Sequence, residues 1–400
     1  MIVSNYVFST GTARGGTGLL AHMLSVHQRV KIVSDPFLAL YKSFRNSVVM
    51  NVADPALKSF DLSSPIGDGY FTQDRRKILD LILNSDMNVK FEQSEWPNLK
   101  MFLKKRAALA SADIVPHIDS LAGDTYKEIY QNCFSLLSKI RSPEKKLDWI
   151  GIHENWTVDF FIPLAKAFEN SKFIIVIRDP RAVFSSHLRE KDPLVIGHLV
   201  SYARCHRKLI ACAEYYKTLP LFKDRLSVIR YEDMLINPEE NCKALCDFLN
   251  VAYNQDMLDT SKYINHSTGG VHDGLSNYEE NAQGFIPERI DRWRKYLSLE
   301  RSDLIDFLCG PEMLLYKYDP IRIKPFDSSL TLCLETILNE MSGYKAWRCD
   351  FMDPMKDYGF ELVRRSMLAS PSVAIDFNKD LIERNFLFKE VYAAIKSLKI

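Results

Sequence analysis

Four short apolar runs, each closed by polar or glycine-bearing residues, punctuate the chain: Tyr6-Val7-Phe8, 30–33, 173–177 and 226–229. Runs this short, rich in Val, Ile and Phe, predict buried strands rather than helices. An amphipathic pattern begins near Leu19, so residues 3–35 read as strand, loop, helix, strand. Residues 38–145 are largely helical in pattern, with breaks at Ser63-Ser64-Pro65-Ile66-Gly67 and Ser142-Pro143. Residues 262–289, rich in Asn, Gly, Ser and Asp, have no clear period and read as a long ordered loop or lid. Beyond Pro325 the pattern is helical again, over 330–341, 353–368 and 380–397. Strands interleaved with helices in this way predict an α/β fold.

The first loop is Gly11-Thr12-Ala13-Arg14-Gly15-Gly16-Thr17-Gly18. Backbone N–H groups and the positive end of a helix dipole converge on such a loop, which predicts an anion site. Arg14 adds a full charge and a planar donor fork. The spacing approaches the G-x-x-x-x-G-K-[ST] loop of nucleotide triphosphatases but does not meet it. Thr17 stands where that motif needs lysine, and Gly18 where it needs a Mg²⁺-binding hydroxyl. The loop therefore suits a phosphate ester that needs no Mg²⁺.

Downstream, Asp179 and Pro180 read as the N-cap and first residue of a helix that follows the 173–177 strand. Arg178 then sits at the carboxyl end of a strand, where open α/β sheets bind ligands. Ser186 lies on the following helix, and an arginine and a hydroxyl brought together can share a phosphate dianion. A third segment, Arg225 to Met234, is a short strand ending in polar residues, and Asn237-Pro238-Glu239 starts another helix.

With these segments in order, the chain resembles the sulfotransferases that use 3′-phosphoadenosine-5′-phosphosulfate (PAPS). The first loop matches their 5′-phosphosulfate loop, in the R-x-G-T form of tyrosylprotein and many bacterial members. Arg178 with Ser186 matches their 3′-phosphate motif. Arg230-Tyr231-Glu232-Asp233-Met234 with Asn237-Pro238-Glu239 resembles their R-Y-E-D-L…N-P-E segment. Ile290-Asp291-Arg292-Trp293-Arg294-Lys295-Tyr296-Leu297 resembles the G-R-W-R-K-Y-L run that closes many bacterial domains.

The resemblance implies an α/β, P-loop-like three-layer sandwich with a central parallel sheet. Residues 1–320 would form the catalytic domain, with 38–145 a mostly helical substrate-recognition insertion. Residues 321–400 would be a helical C-terminal extension, packed on that domain or at a homodimer interface. The implied chemistry is metal-free, in-line transfer of a sulfuryl group from PAPS to an acceptor hydroxyl or amine, releasing PAP. Arg14, the amides of Gly15, Gly16, Thr17 and Gly18, and the Thr17 hydroxyl would face the charge building on the 5′-phosphate. Arg178 and Ser186 would grip the 3′-phosphate with help from Arg292 or Arg294, and Tyr231 would approach the adenine.

Two residues compete for the role of general base. Asp35 ends the second strand, where tyrosylprotein sulfotransferases carry a catalytic glutamate, although aspartate is one methylene shorter and also reads as a helix N-cap before Pro36. His153, in Gly151-Ile152-His153-Glu154-Asn155-Trp156, is the rival; it lies near the K-T-H segment of cytosolic sulfotransferases and could act as base or stand in for their lysine. Asp35 is the first choice. Glu154 could orient His153 or be a solvated surface carboxylate.

Bulk properties narrow the class. A formal net charge of +1 argues against a nucleic-acid binder that relies on a broad basic field. No apolar run approaches the roughly 20 residues that span a bilayer, and the chain enters a strand too early for a signal segment. A cytoplasmic protein without a membrane span is therefore expected. The eight cysteines have no C-x-x-C spacing, which suggests buried thiols rather than a zinc or redox site. Two other readings stay open: a P-loop-type kinase or nucleotide hydrolase, disfavoured by the missing lysine, and a non-catalytic PAP-binding protein of the same fold. The acceptor, a small molecule, glycan or lipid, has no legible motif.

Overall fold

The computed structural model describes residues 5–52, 54, 57, 60–63, 66, 73–144, 146–188, 199–266, 270–272, 284–320, 354–369 and 379–398. The chain forms two compact units, one of residues 1–66, 78–176 and 220–287, the other of 67–77, 177–219 and 288–400.

The first unit is built on a sheet of β1 (Tyr6–Gly11), β2 (Val30–Ser34), β3 (Trp149–His153), β4 (Ser171–Ile177) and β5 (Leu226–Arg230), in the order β2-β3-β1-β4-β5. The β2–β3, β3–β1 and β1–β4 pairs are parallel, and Val7 aligns with Gly151, which aligns with Ile32. β3 is the strand that the hydrophobic pattern does not single out, because Gly151 and His153 interrupt its apolar run. Gly151 is required by the close packing of the sheet: a Cβ there would lie 2.6 Å from the Val7 carbonyl and 2.5 Å from Ile32 Cδ1.

Right-handed crossovers decide which face each connection covers. The β2–β3 and β3–β4 connections run in the same direction across the sheet, so their helices share a face. Phe134 of the helix Tyr126–Arg141 and Phe168, from these two connections, accordingly both pack on Phe8, with ring centroids 5.4 and 5.9 Å away. The β1–β2 connection runs the other way, which places the helix Thr17–Val26 on the opposite face and completes three layers. The helix Tyr126–Arg141 forms because buried Ile129, Tyr130, Cys133, Phe134 and Leu137 recur at helical spacing, and Thr125 caps it by accepting the Glu128 N–H. The predicted insertion is helical over Leu38–Met50, Gln73–Asn84, Trp96–Ala110 and Tyr126–Arg141. Of the predicted lid, the described residues hold a bridge between Ile264 and Val271; 267–269 and 273–283 lie outside them.

The second unit is helical, with Pro180–His187, Leu199–Lys217, Trp293–Tyr296, Leu299–Leu315, Pro354–Ala369, Lys379–Phe386 and Lys389–Ser397. The C-terminal helices belong to it through a buried ion network. Arg207 donates to Glu361 at 2.8 Å, and Arg364 donates to Glu361 at 2.8 Å and also to Glu312. The helix predicted over 380–397 is two helices, separated where Leu387 adopts a left-handed φ of 64°. The helix predicted over 330–341 lies outside the described residues. Among the described residues no helix is long and apolar enough to cross a membrane.

Candidate active site

In the first unit, β1 ends at Gly11 and the loop turns sharply, with the Gly15 N–H donating to the Thr12 carbonyl at 2.8 Å. Arg14 and Gly16 both take left-handed φ values, 64° and 85°, and the helix begins at Thr17. A helix start leaves its first N–H groups without partners inside the helix. In front of them a Cβ on Gly18 would meet nothing within 4 Å. The ring of Tyr231, which follows β5, lies directly on Gly16, where a Cβ would stand 1.9 Å from Cδ2. The loop and Tyr231 are thus brought together, as the motif order predicts.

The carboxyl ends of β2 and β3 meet beside this loop. The Thr17 hydroxyl donates to Asn155 Oδ1 at 3.4 Å, and Asn155 Nδ2 donates to Asp35 Oδ1 at 3.4 Å. Arg106 Nη2, from the helix Trp96–Ala110, lies 3.3 Å from the same oxygen. The Asp35 backbone, at a left-handed φ of 50°, donates its N–H to the His153 carbonyl at 2.7 Å. A continuous polar chain therefore runs from the anion loop through Asn155 to a carboxylate held by an arginine.

The two candidate bases differ in electrostatics. His153 is buried, its Nδ1 is 3.2 Å from the Ser9 hydroxyl, and burial holds its pKa below the ordinary histidine value despite the opposing charge of Asp35. It is neutral near pH 7. Asp35 keeps partial solvent access, its side chain 22% exposed. Glu154 is not the surface carboxylate that the sequence allows. It is fully buried and its Oε1 accepts the Phe37 N–H; burial, and then the charge of Asp35, push its pKa well above the carboxylate range. Arg106 was the residue missed, its signal no more than a position on an insertion helix; Glu154 was read as orienting His153 or as a surface carboxylate, and its burial beside Asp35 has no signal in the sequence.

In the second unit, Asp179 caps the helix Pro180–His187 by accepting the Arg181 N–H at 2.8 Å, as its sequence predicts. Arg178 follows β4 directly and Ser186 is buried within the helix. The same unit holds Arg292 and Arg294, the latter half exposed and donating to Asp291 at 3.0 Å. The turn Trp293–Tyr296 packs on this helix, with the Arg181 guanidinium 4.4 Å from the Trp293 ring centre. Arg181 is the buried link: it donates to both oxygens of Asp179, to Asp306 at 3.3 Å and to the Asp319 carbonyl at 2.9 Å.

The chain thus carries a parallel α/β sheet with a glycine-rich loop before its first helix and a polar cluster at the ends of β2 and β3. A family model described as the sulfotransferase family matches residues 7–255, and the chain belongs to that family. Curated relatives include the protein-tyrosine sulfotransferase of Drosophila melanogaster, 25% identical over 49% of this chain and 39% of its own length. Protein-tyrosine sulfotransferase 1 of Danio rerio is 29% identical over 39% of this chain and 44% of its own. The matched segments thus span under half the length of these relatives. Among solved structures, the sulfotransferase domain of the Synechococcus PCC 7002 olefin synthase covers 80% of this chain and 97% of its own at a TM-score of 0.47 and 17% identity.

Proposed function

We propose that this chain transfers a sulfuryl group from PAPS to an acceptor hydroxyl. The observation that carries this reading is the polar chain Thr17–Asn155–Asp35–Arg106, which links an anion loop to a carboxylate able to receive an acceptor proton. The residues fit the donor: open space faces the helix start at Gly18, and Thr17 and Gly18 replace the lysine and hydroxyl that a Mg-triphosphate needs. PAPS supplies the activated sulfuryl group and a phosphate leaving group.

Arg14 and the loop amides stabilise charge that develops on the 5′-phosphate oxygen, which favours the transition state over the ground state. Arg178 and Ser186, with Arg292 or Arg294, hold the 3′-phosphate, and Tyr231 borders the adenine. Asp35 takes the acceptor proton. His153, buried and neutral, orders the β3 end through Ser9. Relatives named as protein-tyrosine and carbohydrate sulfotransferases support a hydroxyl acceptor, phenolic or sugar.

The test is calorimetry with PAP and with ATP, each with and without Mg²⁺, followed by transfer of labelled sulfate from PAPS to phenolic and sugar acceptors. PAP is expected to bind without metal and ATP not to bind. Arg178→Ala and Ser186→Ala are each expected to weaken PAP about ten- to hundredfold, the worth of a charge-assisted hydrogen bond. Preference for Mg-ATP would overturn the reading.

A further inference from the structure

Two carboxyl groups meet where β2 and β3 end, and they live in different surroundings. Asp35 is partly exposed, with the Arg106 guanidinium 3.3 Å away and the Asn155 amide donating at 3.4 Å. Glu154 is fully buried. Its Oε1 accepts the Phe37 N–H, while its Oε2 accepts from no N–H or O–H donor among the described residues and yet is shut off from solvent. The residues on either side of Glu154 both bond Asp35, the His153 carbonyl accepting its N–H at 2.7 Å and the Asn155 amide donating to its carboxylate at 3.4 Å, so the Asp35 carboxyl is the acceptor at hand.

An ionised carboxylate oxygen is an acceptor only, and one buried without a donor bears the full cost of a desolvated charge. Glu154 escapes that cost by holding a proton. The charged and titratable groups that face Glu154 are Asp35, Arg106, the neighbouring His153, and the phenols of Tyr41 and Tyr130 from the helices Leu38–Met50 and Tyr126–Arg141. Both phenols are fully buried and neutral, and so is His153. With both carboxyls ionised, this set would carry two negative charges against the single cation Arg106. With one proton it is balanced. Asp35 has the arginine and the amide that stabilise an anion, whereas Glu154 is fully buried with a single backbone N–H on one oxygen and none on the other among the described residues.

We propose that Glu154 is a neutral carboxylic acid whose Oε2–H donates to the Asp35 carboxylate and fixes it as the base. This deepens, and rests on, the reading of Asp35 given above. Glu154 is then a positioning residue. Its proton stays in place while Asp35 takes the acceptor proton, so the pair passes from one proton to two. It returns to one when Asp35 gives that proton to solvent through its exposed side. The acceptor oxygen bonds to sulfur as the bond from sulfur to the phosphate oxygen breaks, and the electron pair leaves with the phosphate.

Infrared difference spectra of the full chain near neutral pH, native minus Glu154→Gln, are expected to show the C=O stretch of a protonated carboxylic acid that moves in D₂O. Absence of that band overturns the proposal. In turnover with PAPS, Glu154→Ala is expected to lose about 100-fold in kcat with PAP affinity unchanged, the scale of a misplaced general base. Glu154→Gln keeps an N–H for Asp35 and a carbonyl for Phe37, and is expected to recover to within about fivefold of native. A Glu154→Gln enzyme as impaired as Asp35→Asn would make Glu154 an ionised group and also overturn it. The infrared band together with no sulfuryl transfer to any acceptor would sink the sulfotransferase reading and leave the carboxyl pair standing.

Discussion

A Cβ on residue 16 would stand 1.9 Å from the Tyr231 ring, on backbone already left-handed at φ 85°. Gly16→Ala is therefore expected to cost more than the roughly 1–2 kcal/mol of left-handed backbone alone. The loss should appear as a lower denaturant midpoint, together with weaker PAP binding because the ring must leave the loop. A variant with native midpoint and native affinity would contradict the contact. The glycine loop and the segment that brings Tyr231 onto it were legible because both rest on neighbours in sequence and on a motif. Glu154 was not, because its burial is created by residues far along the chain: its Oε1 partner Phe37 is 117 positions away.

Among elements, the helix Pro180–His187 shows how a local signal and a distant one divide the work. Its start follows from Asp179 and Pro180, a cap and a first-turn proline. Its anchoring depends on Arg181, which is buried among Asp179, Asp306 and Trp293. Arg181→Met would take a cation from two buried carboxylates, at a cost of about 3–5 kcal/mol. A lower Tm and weakened PAP binding are expected, since the helix bears Ser186; an unchanged Tm would show that the ion pairs are dispensable. β3 and the break at Leu387 escaped the sequence pattern for opposite reasons. A glycine and a histidine disguised a strand that the sheet covers on both edges, and uninterrupted helical periodicity concealed a single left-handed residue.

For the whole molecule, the C-terminal helices carry part of the interior of the second unit rather than a decoration. Glu361 lies between Arg207 and Arg364, all three buried. Glu361→Ala removes the carboxylate that Arg207 and Arg364 share, leaving Arg364 its bond to Glu312, and should destabilise by about 3–5 kcal/mol in denaturant unfolding; a change below the error of the measurement would argue that the network is not formed. His206, in the same unit, has neither ring nitrogen hydrogen-bonded among the described residues, and burial lowers its pKa to about 4. A depressed histidine is neutral in the native state while the unfolded chain takes up a proton below its ordinary value near 6.5. Its contribution is thus full above that pH and is lost as pH falls toward 4. Between pH 7 and 5 this amounts to roughly 2 kcal/mol. His206→Leu should lose that much less stability than the native chain over the same acidification; an equal loss in both would refute the assignment.

Residue order alone determined the α/β class, the glycine loop before the first helix, the capped helix after β4 and membership of a motif set, because each rests on periodicity or spacing within some ten residues. Tertiary structure decided which carboxyl is buried, which arginine meets Asp35 and which side chains hold Arg181. Apart from Asp179, which lies two positions from Arg181, these partners come from segments more than 70 positions apart in sequence, as in the Ser111 hydroxyl bound to the Ser34 carbonyl 77 residues away, beside Asp35. Burial sets the charge of a carboxyl group, and burial is a property of the packed chain rather than of any stretch of it.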